Sequence, residues 1–90
     1  MTPGEQTAQI TVYTSEPSEL CGRVKRLLDT RGLRYDEIAV HTEEERAAMV
    51  ARTGRMQCPL VYVGDTLIGG LQDTIDADRS GRLAQLAGLG

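Results

Sequence analysis

Ninety residues suffice for one small core, and 40% hydrophobic with 26% charged residues places the chain among ordinary folded domains rather than disordered or fibrous ones. A net charge of −3, with Tyr13, Tyr35 and Tyr62 as the only aromatic rings, excludes a single-strand nucleic-acid binder, which stacks bases on interleaved rings in a basic groove. The opening MTPGEQTAQ has neither a basic start nor an apolar stretch, and no apolar run approaches the roughly 20 residues that span a bilayer, so the expectation is a cytoplasmic monomer away from membranes.

Ile10-Thr11-Val12-Tyr13 alternates apolar with polar or amphipathic residues, the period of a strand, and Thr14 to Pro17 carries turn chemistry. From Ser18 the spacing becomes helical, with Leu20, Val24, Leu27 and Leu28 on one stripe and Gly32 as the stop. Tyr35 to Val40 reads as a second strand. Thr42-Glu43-Glu44-Glu45 is a capping box, which predicts a helix from there to about Thr53 that Gly54 ends. Pro59 precedes the strand Leu60-Val61-Tyr62-Val63, Gly64-Asp65 is a two-residue turn, and Thr66-Leu67-Ile68 returns as a hairpin. Asp73 is placed to cap a last helix through about Arg79, with Gly81 interrupting it and Leu83 to Leu86 as a final apolar turn. The order β-α-β-α-β-β-α gives two parallel strands joined by a right-handed crossover and an antiparallel pair from the hairpin. Residues 1–8 read as a loose tail ahead of a single domain at 9–90.

Four groups of residues in this order make the chain resemble the glutaredoxin family of the thioredoxin fold. They are Val12-Tyr13-Thr14 before a turn, Ser18-Glu19-Leu20-Cys21 where the family has Cys-x-x-Cys or Cys-x-x-Ser, Cys58-Pro59 where it has Val-Pro, and Gly69-Gly70-x-x-Asp73. The resemblance covers residues 9 to about 86. It implies an α/β, thioredoxin-like fold with a four-stranded mixed sheet of order 2-1-3-4 flanked by helices. It also implies a cis Pro59 and one groove on which residues 18–21, 57–59 and 70–73 converge. Thiol–disulfide exchange in cytoplasmic redox homeostasis follows by resemblance, with glutathione as a co-substrate rather than a bound cofactor, and with glutathione or a thiol- or disulfide-bearing protein as partner. The implied binding residues are Leu20, Gln57, Cys58, Pro59, Gly70 and Asp73; the implied catalytic positions are Cys21 and Ser18, with Cys58 as a further thiol.

The motif departs from the family at its first residue. A cysteine at a helix N-terminus is held as a thiolate by orphan amides and the macrodipole, and that thiolate opens the exchange. A serine hydroxyl stays protonated there and forms no mixed disulfide, so Ser18 closes the usual dithiol cycle. Serine is also among the best N-cap residues, and a replaced natural cysteine is a further reading of it. Cys21, one turn in, is either the remaining thiol or a small buried hydrophobe; Cys58 is either a second thiol or an apolar replacement for valine. A monothiol cycle or an iron–sulfur cluster held through the first cysteine is put in doubt by the same change.

Half of the family's glutathione pocket is kept. Ser15 stands where a lysine is common and Leu20 where an aromatic is common, whereas the main chain at Cys58 and the acid at Asp73 are retained. Glu16 and Glu19 add negative charge beside a tripeptide with two carboxylates, and Arg55 is available to contact one of them. Other chemistries find less. His41 belongs to a strand-to-helix connection, one His and two distant Cys lack zinc spacing, and Gly69-Gly70 is a bend rather than a phosphate loop because no Lys-Ser/Thr follows. The sequence thus leaves open a glutaredoxin-like redox protein whose exchange is absent or rests on Cys21 and Cys58. The alternative is a non-catalytic peptide- or protein-binding module, favoured by Leu20 and the acidic rim. A thiol-ligated metal carrier using the two cysteines, as a dimer, is a third reading.

Overall fold

In the computed structural model the described residues are 6–15 and 19–88. The apolar alternation near the start forms β1 (Ile10–Thr14), all five residues of which are buried. Its position explains this: β1 is central, with β2 (Asp36–Ala39) parallel on one side and β3 (Leu60–Val63) antiparallel on the other, and β4 (Thr66–Gly69) beyond β3. The sheet order β2-β1-β3-β4 is the one the resemblance implied. Thr14, expected in the turn, belongs to the strand because it pairs with Ala39 and its carbonyl accepts from the Val40 amide at 2.7 Å. β2 is shorter than the predicted 35–40 stretch. Its first three residues are exposed, and the charges of Asp36 and Glu37 suit an edge strand that must not recruit another chain.

The helix α1 (Glu19–Thr30) buries Cys21, Val24 and Leu28, so the core stripe starts at Cys21 and not, as expected, at Leu20, which is 47% exposed. Spacing of three and four residues fits either set; the side that meets β1 selects the second. Its end is a Schellman motif, with Leu33 N–H on Leu28 O at 2.9 Å and Gly32 N–H on Asp29 O at 3.0 Å, and Leu33 and Leu28 both join the core. α2 (Glu43–Thr53) starts with the predicted capping box: Glu45 N–H donates to Thr42 Oγ1 at 3.1 Å and Thr42 N–H to Glu45 Oε1 at 3.0 Å. The His41 amide also donates to Glu45 Oε1 at 3.0 Å, and the His41 and Thr42 amides together hold the Glu45 carboxyl below the usual range. The last helix breaks at Gly81 as expected, into α3 (Leu71–Ser80) and α4 (Arg82–Ala87).

The two faces of the sheet are covered unequally. Ile10, Val12, Val61, Val63 and Ile68 meet Val24 and Leu28 of α1, Ala77 of α3 and Leu83 of α4 in the larger cluster. On the opposite face, among the described residues, α2 supplies the helical cover, and Tyr13, Val40, Leu60 and Tyr62 pack with its Met49. There Arg52 of α2 lies 5.5 Å from the Tyr62 ring centre and 6.0 Å from that of Tyr13, a cation stacked on two edge-packed rings. Residues 6–8, within the expected tail, bond to the domain. Gln6 bonds the backbone of Ala8 and Arg34, and the Thr7 and Ala8 amides donate to Ala87 O, because the start of β1 runs beside the end of α4.

Candidate functional site

Three segments meet at one end of the sheet because of where their strands lie. α1 begins just beyond the end of β1. The Leu60–Tyr13 pair sets the residues before β3 beside the same end, and β4 returns next to β3 and delivers Gly69-Gly70. The Cys58–Pro59 peptide bond is cis, as the resemblance implied. A side-chain carbon added at Gly70 would stand 3.6 Å from Pro59 O, which puts the two segments in contact distance. Thus the structure sets Gly70 against Pro59 and its neighbour Cys58, buries Cys21 in the first turn of α1, and leaves Leu20, Gln57 and Asp73 exposed. Ser18, with Glu16 and Pro17, lies outside the described residues.

Asp73 was expected to be the N-cap of the last helix and is instead its third residue. Gly70 is the N-cap, in extended conformation, and its amide donates to Asp73 Oδ2 at 3.1 Å. The physical reason is that β4 runs through Gly69, so the helix must start immediately after Gly70. Gly69 has φ 124°, and a side chain there would collide with the Asp73 carboxyl, so the corner accepts only glycine. Thr74, fully buried, fastens the corner from below by donating Oγ1–H to Gly70 O at 2.8 Å. With its oxygen turned to the Gly70 amide, Asp73 organises the corner as well as adding negative charge to it.

The two cysteines, both thiols, differ in setting. Cys21 is 4% exposed, in the buried stripe of α1. Cys58 is half-buried, and burial pushes its pKa up, with Cys21 adding to the rise while the Ser15 hydroxyl and Arg46 oppose it. A thiol held protonated is a poor nucleophile at neutral pH. It is a donor, and its Sγ contacts Met49 Sδ at 3.6 Å. Met49 was missed in the sequence, where it reads only as an apolar position of α2.

A polar group behind the motif was missed as well. Thr14 Oγ1 donates to Glu37 Oε2 at 2.7 Å, and Lys25 of α1 lies 3.3 Å from Glu37 Oε1, joining the end of β1 to α1 and β2. The Thr14 hydroxyl, then Lys25, hold Glu37 below its ordinary range, and Lys25 is raised in return. The available signal was a lysine four residues beyond Cys21. Among the described residues the backbone of Gln57 and Cys58 makes no backbone hydrogen bond, so this edge can pair with an extended ligand. A separate cleft of about 380 Å³ between residues 6–10 and 34–36 shares none of these residues.

The family model for glutaredoxin matches residues 10–68, about two thirds of the chain. The chain belongs to the glutaredoxin family. It is 32% identical over 78 residues to a Pseudomonas aeruginosa protein named glutaredoxin, covering 86% of this chain and 93% of that one. To glutaredoxin 3 of Escherichia coli it is 31% identical over 80 residues, covering 88% and 96%. The solution structure of a Brucella melitensis glutaredoxin superposes with a TM-score of 0.79 at 32% identity, over 99% of this chain and 97% of that one. A crystal structure of a buckwheat glutaredoxin–glutathione complex gives 0.77 at 30% identity, over 89% and 76%. Family and fold together support a glutaredoxin-like function in thiol redox. Among the described residues no helix is long and apolar enough to cross a membrane.

Proposed function

We propose that the chain is a cytoplasmic glutaredoxin-type protein that receives glutathione, or a thiol- or disulfide-bearing peptide, in this groove but does not open disulfide exchange from residue 18. The observation that carries the reading is the backbone side of the groove: the Gln57-Cys58 edge, unpaired among the described residues, beside cis Pro59 and abutting the Gly70 corner that Asp73 and Thr74 fix. The glutathione bound to the buckwheat relative supports the same ligand class here. The ligand's main chain would pair with Cys58 as a short antiparallel strand, and a free α-amine at its end would meet Asp73.

For chemistry, the two remaining thiols are unequal. Cys58 is held protonated by burial and bonded to Met49, so it does not serve as the attacking sulfur. Cys21 stands at the third residue of α1 and is the other thiol, so any exchange this chain performs starts there and requires the buried helix start to open. Its 4% exposure favours the second reading, a non-catalytic binding module that uses the same edge for a protein partner.

The test is reduction of the mixed disulfide of glutathione and hydroxyethanethiol, coupled to glutathione reductase. The unchanged chain is expected to turn over slowly or not at all, Cys58→Val is expected to leave that rate unaltered, and Ser18→Cys is expected to restore exchange. A substantial rate in the unchanged chain that survives Cys21→Ala would overturn this reading. A slow rate abolished by Cys21→Ala assigns residual exchange to Cys21, and no rate in either assigns the chain to binding.

A further inference from the structure

The outer face of α1 carries a residue that the fold does not require. Gly22 stands inside the helix, where glycine is the least favourable residue after proline because it orders the most backbone and packs no side chain. Its backbone does not call for glycine, since its φ is not positive. Neither does its packing, since a side-chain carbon added there would meet nothing within 4 Å. A glycine without a reason inside the chain is explained by the close approach of something outside it.

That bare stretch of helix is the floor of an open cleft of about 370 Å³, and the described residues beside it are Glu19, Arg23 and Arg26. They stand at i, i+4 and i+7 and so share one face of α1. Both arginines are exposed, and among the described residues the cations in ion pairs are Lys25, with Glu37, and Arg31, with Asp78. Glu19 lies four residues before Arg23, the spacing at which such pairs form, yet does not pair with it. Two guanidinium groups against one carboxylate leave this face basic, on a chain whose net charge is −3. Leu20, 47% exposed and one turn before Arg23, continues the face to the start of the helix.

We propose that this face of α1, with Gly22 as its floor and Arg23 and Arg26 beside it, docks an acidic segment of the protein whose thiol or disulfide enters the groove. The inference deepens the proposed function and rests on one part of it, that a thiol- or disulfide-bearing protein visits the groove. Charge complementarity sets the partner's chemistry: a guanidinium takes a carboxylate through two parallel hydrogen bonds, and the partner's main chain meets the helix where no side chain intervenes. A nucleic acid is not the occupant, because two arginines beside a carboxylate give no track for a phosphate backbone. The chain as a whole repels acidic ligands, so the attraction is local and falls as salt rises.

The test is an amide chemical-shift titration of the isotope-labelled full chain with two peptides. Each has a cysteine disulfide-linked to glutathione, followed by a run of glutamates in one and of glutamines in the other. Saturable shifts at Glu19, Gly22, Arg23 and Arg26 are expected with the glutamate peptide, which should bind about fivefold tighter at low salt. Arg23→Gln with Arg26→Gln is expected to remove that preference, while Arg82→Gln, a loss of charge on α4, keeps it. Gly22→Leu is expected to raise the urea midpoint and yet weaken the glutamate peptide, a combination that a purely structural glycine does not give. Equal affinity for the two peptides, a preference that survives the double arginine change, or Gly22→Leu binding as tightly as the parent would overturn the proposal. Charge-dependent shifts on α1 without any response of the groove to free glutathione would uphold this surface and overturn the groove reading instead.

Discussion

One wall of the groove is made of backbone and the other of side chains. On the Pro59–Gly70 side, the parts that would touch a ligand are main-chain groups held by a cis peptide bond, the Asp73 carboxylate on the Gly70 amide, and a buried threonine beneath. On the α1 side, the described parts are side chains, an exposed leucine at residue 20 and a cysteine at 4% exposure at residue 21. The backbone wall is woven into β3, β4 and α3, so changing it would disturb the core. Leu20, exposed on α1, can change without touching the core. On the proposed function, binding and chemistry separate along the groove, and substitutions on the two walls should have different signatures.

The largest effect on stability is expected from the backbone wall. Gly69→Ala must place a Cβ against Asp73 at a φ of 124°, and should cost roughly 1–3 kcal/mol in urea unfolding and weaken glutathione binding with it. If the variant is as stable as the parent, the corner is not what holds this wall. Thr74→Val keeps the volume but deletes the hydroxyl on Gly70 O, and a loss of about 1 kcal/mol is expected, measured in the same way. On the side-chain wall, Ser18→Cys should instead change the exchange rate while leaving the urea midpoint within the range of a surface substitution, about 0.5 kcal/mol.

The smallest effect is a pH dependence. Because burial raises the Cys58 pKa, the folded chain keeps a proton that the unfolded chain gives up at the ordinary thiol value. The stability this confers is complete below that ordinary value and is lost as pH rises through the shifted one. Iodoacetamide labelling of Cys58 should accordingly begin at higher pH in the folded protein than in urea; equal profiles would mean the thiol is not desolvated.

Much of the fold was legible in the sequence, because glycine, proline and a capping box act locally. Thr42-Glu43-Glu44-Glu45 and Gly54 bounded α2, Gly81 split the last helix, and Gly64-Asp65 made the hairpin turn. Asp73 was identified but given the wrong cap position, since the length of β4 is decided by its pairing with β3 and not by its own residues. Leu20 was assigned to the buried stripe because helical period leaves a neighbouring stripe equally acceptable; contact with β1 decided for Cys21. Met49 and the Thr14–Glu37–Lys25 group were invisible for another reason. Their partners are brought together across elements, and no spacing along the chain encodes that.

The most direct measurement is an amide chemical-shift titration of the isotope-labelled chain with reduced glutathione. Saturable shifts at Gln57, Cys58 and Gly70 through Asp73 are predicted, with the amides of the cleft between residues 6–10 and 34–36 unmoved. No saturable shift at those positions, or shifts confined to that distant cleft, would contradict a groove that binds on its backbone wall.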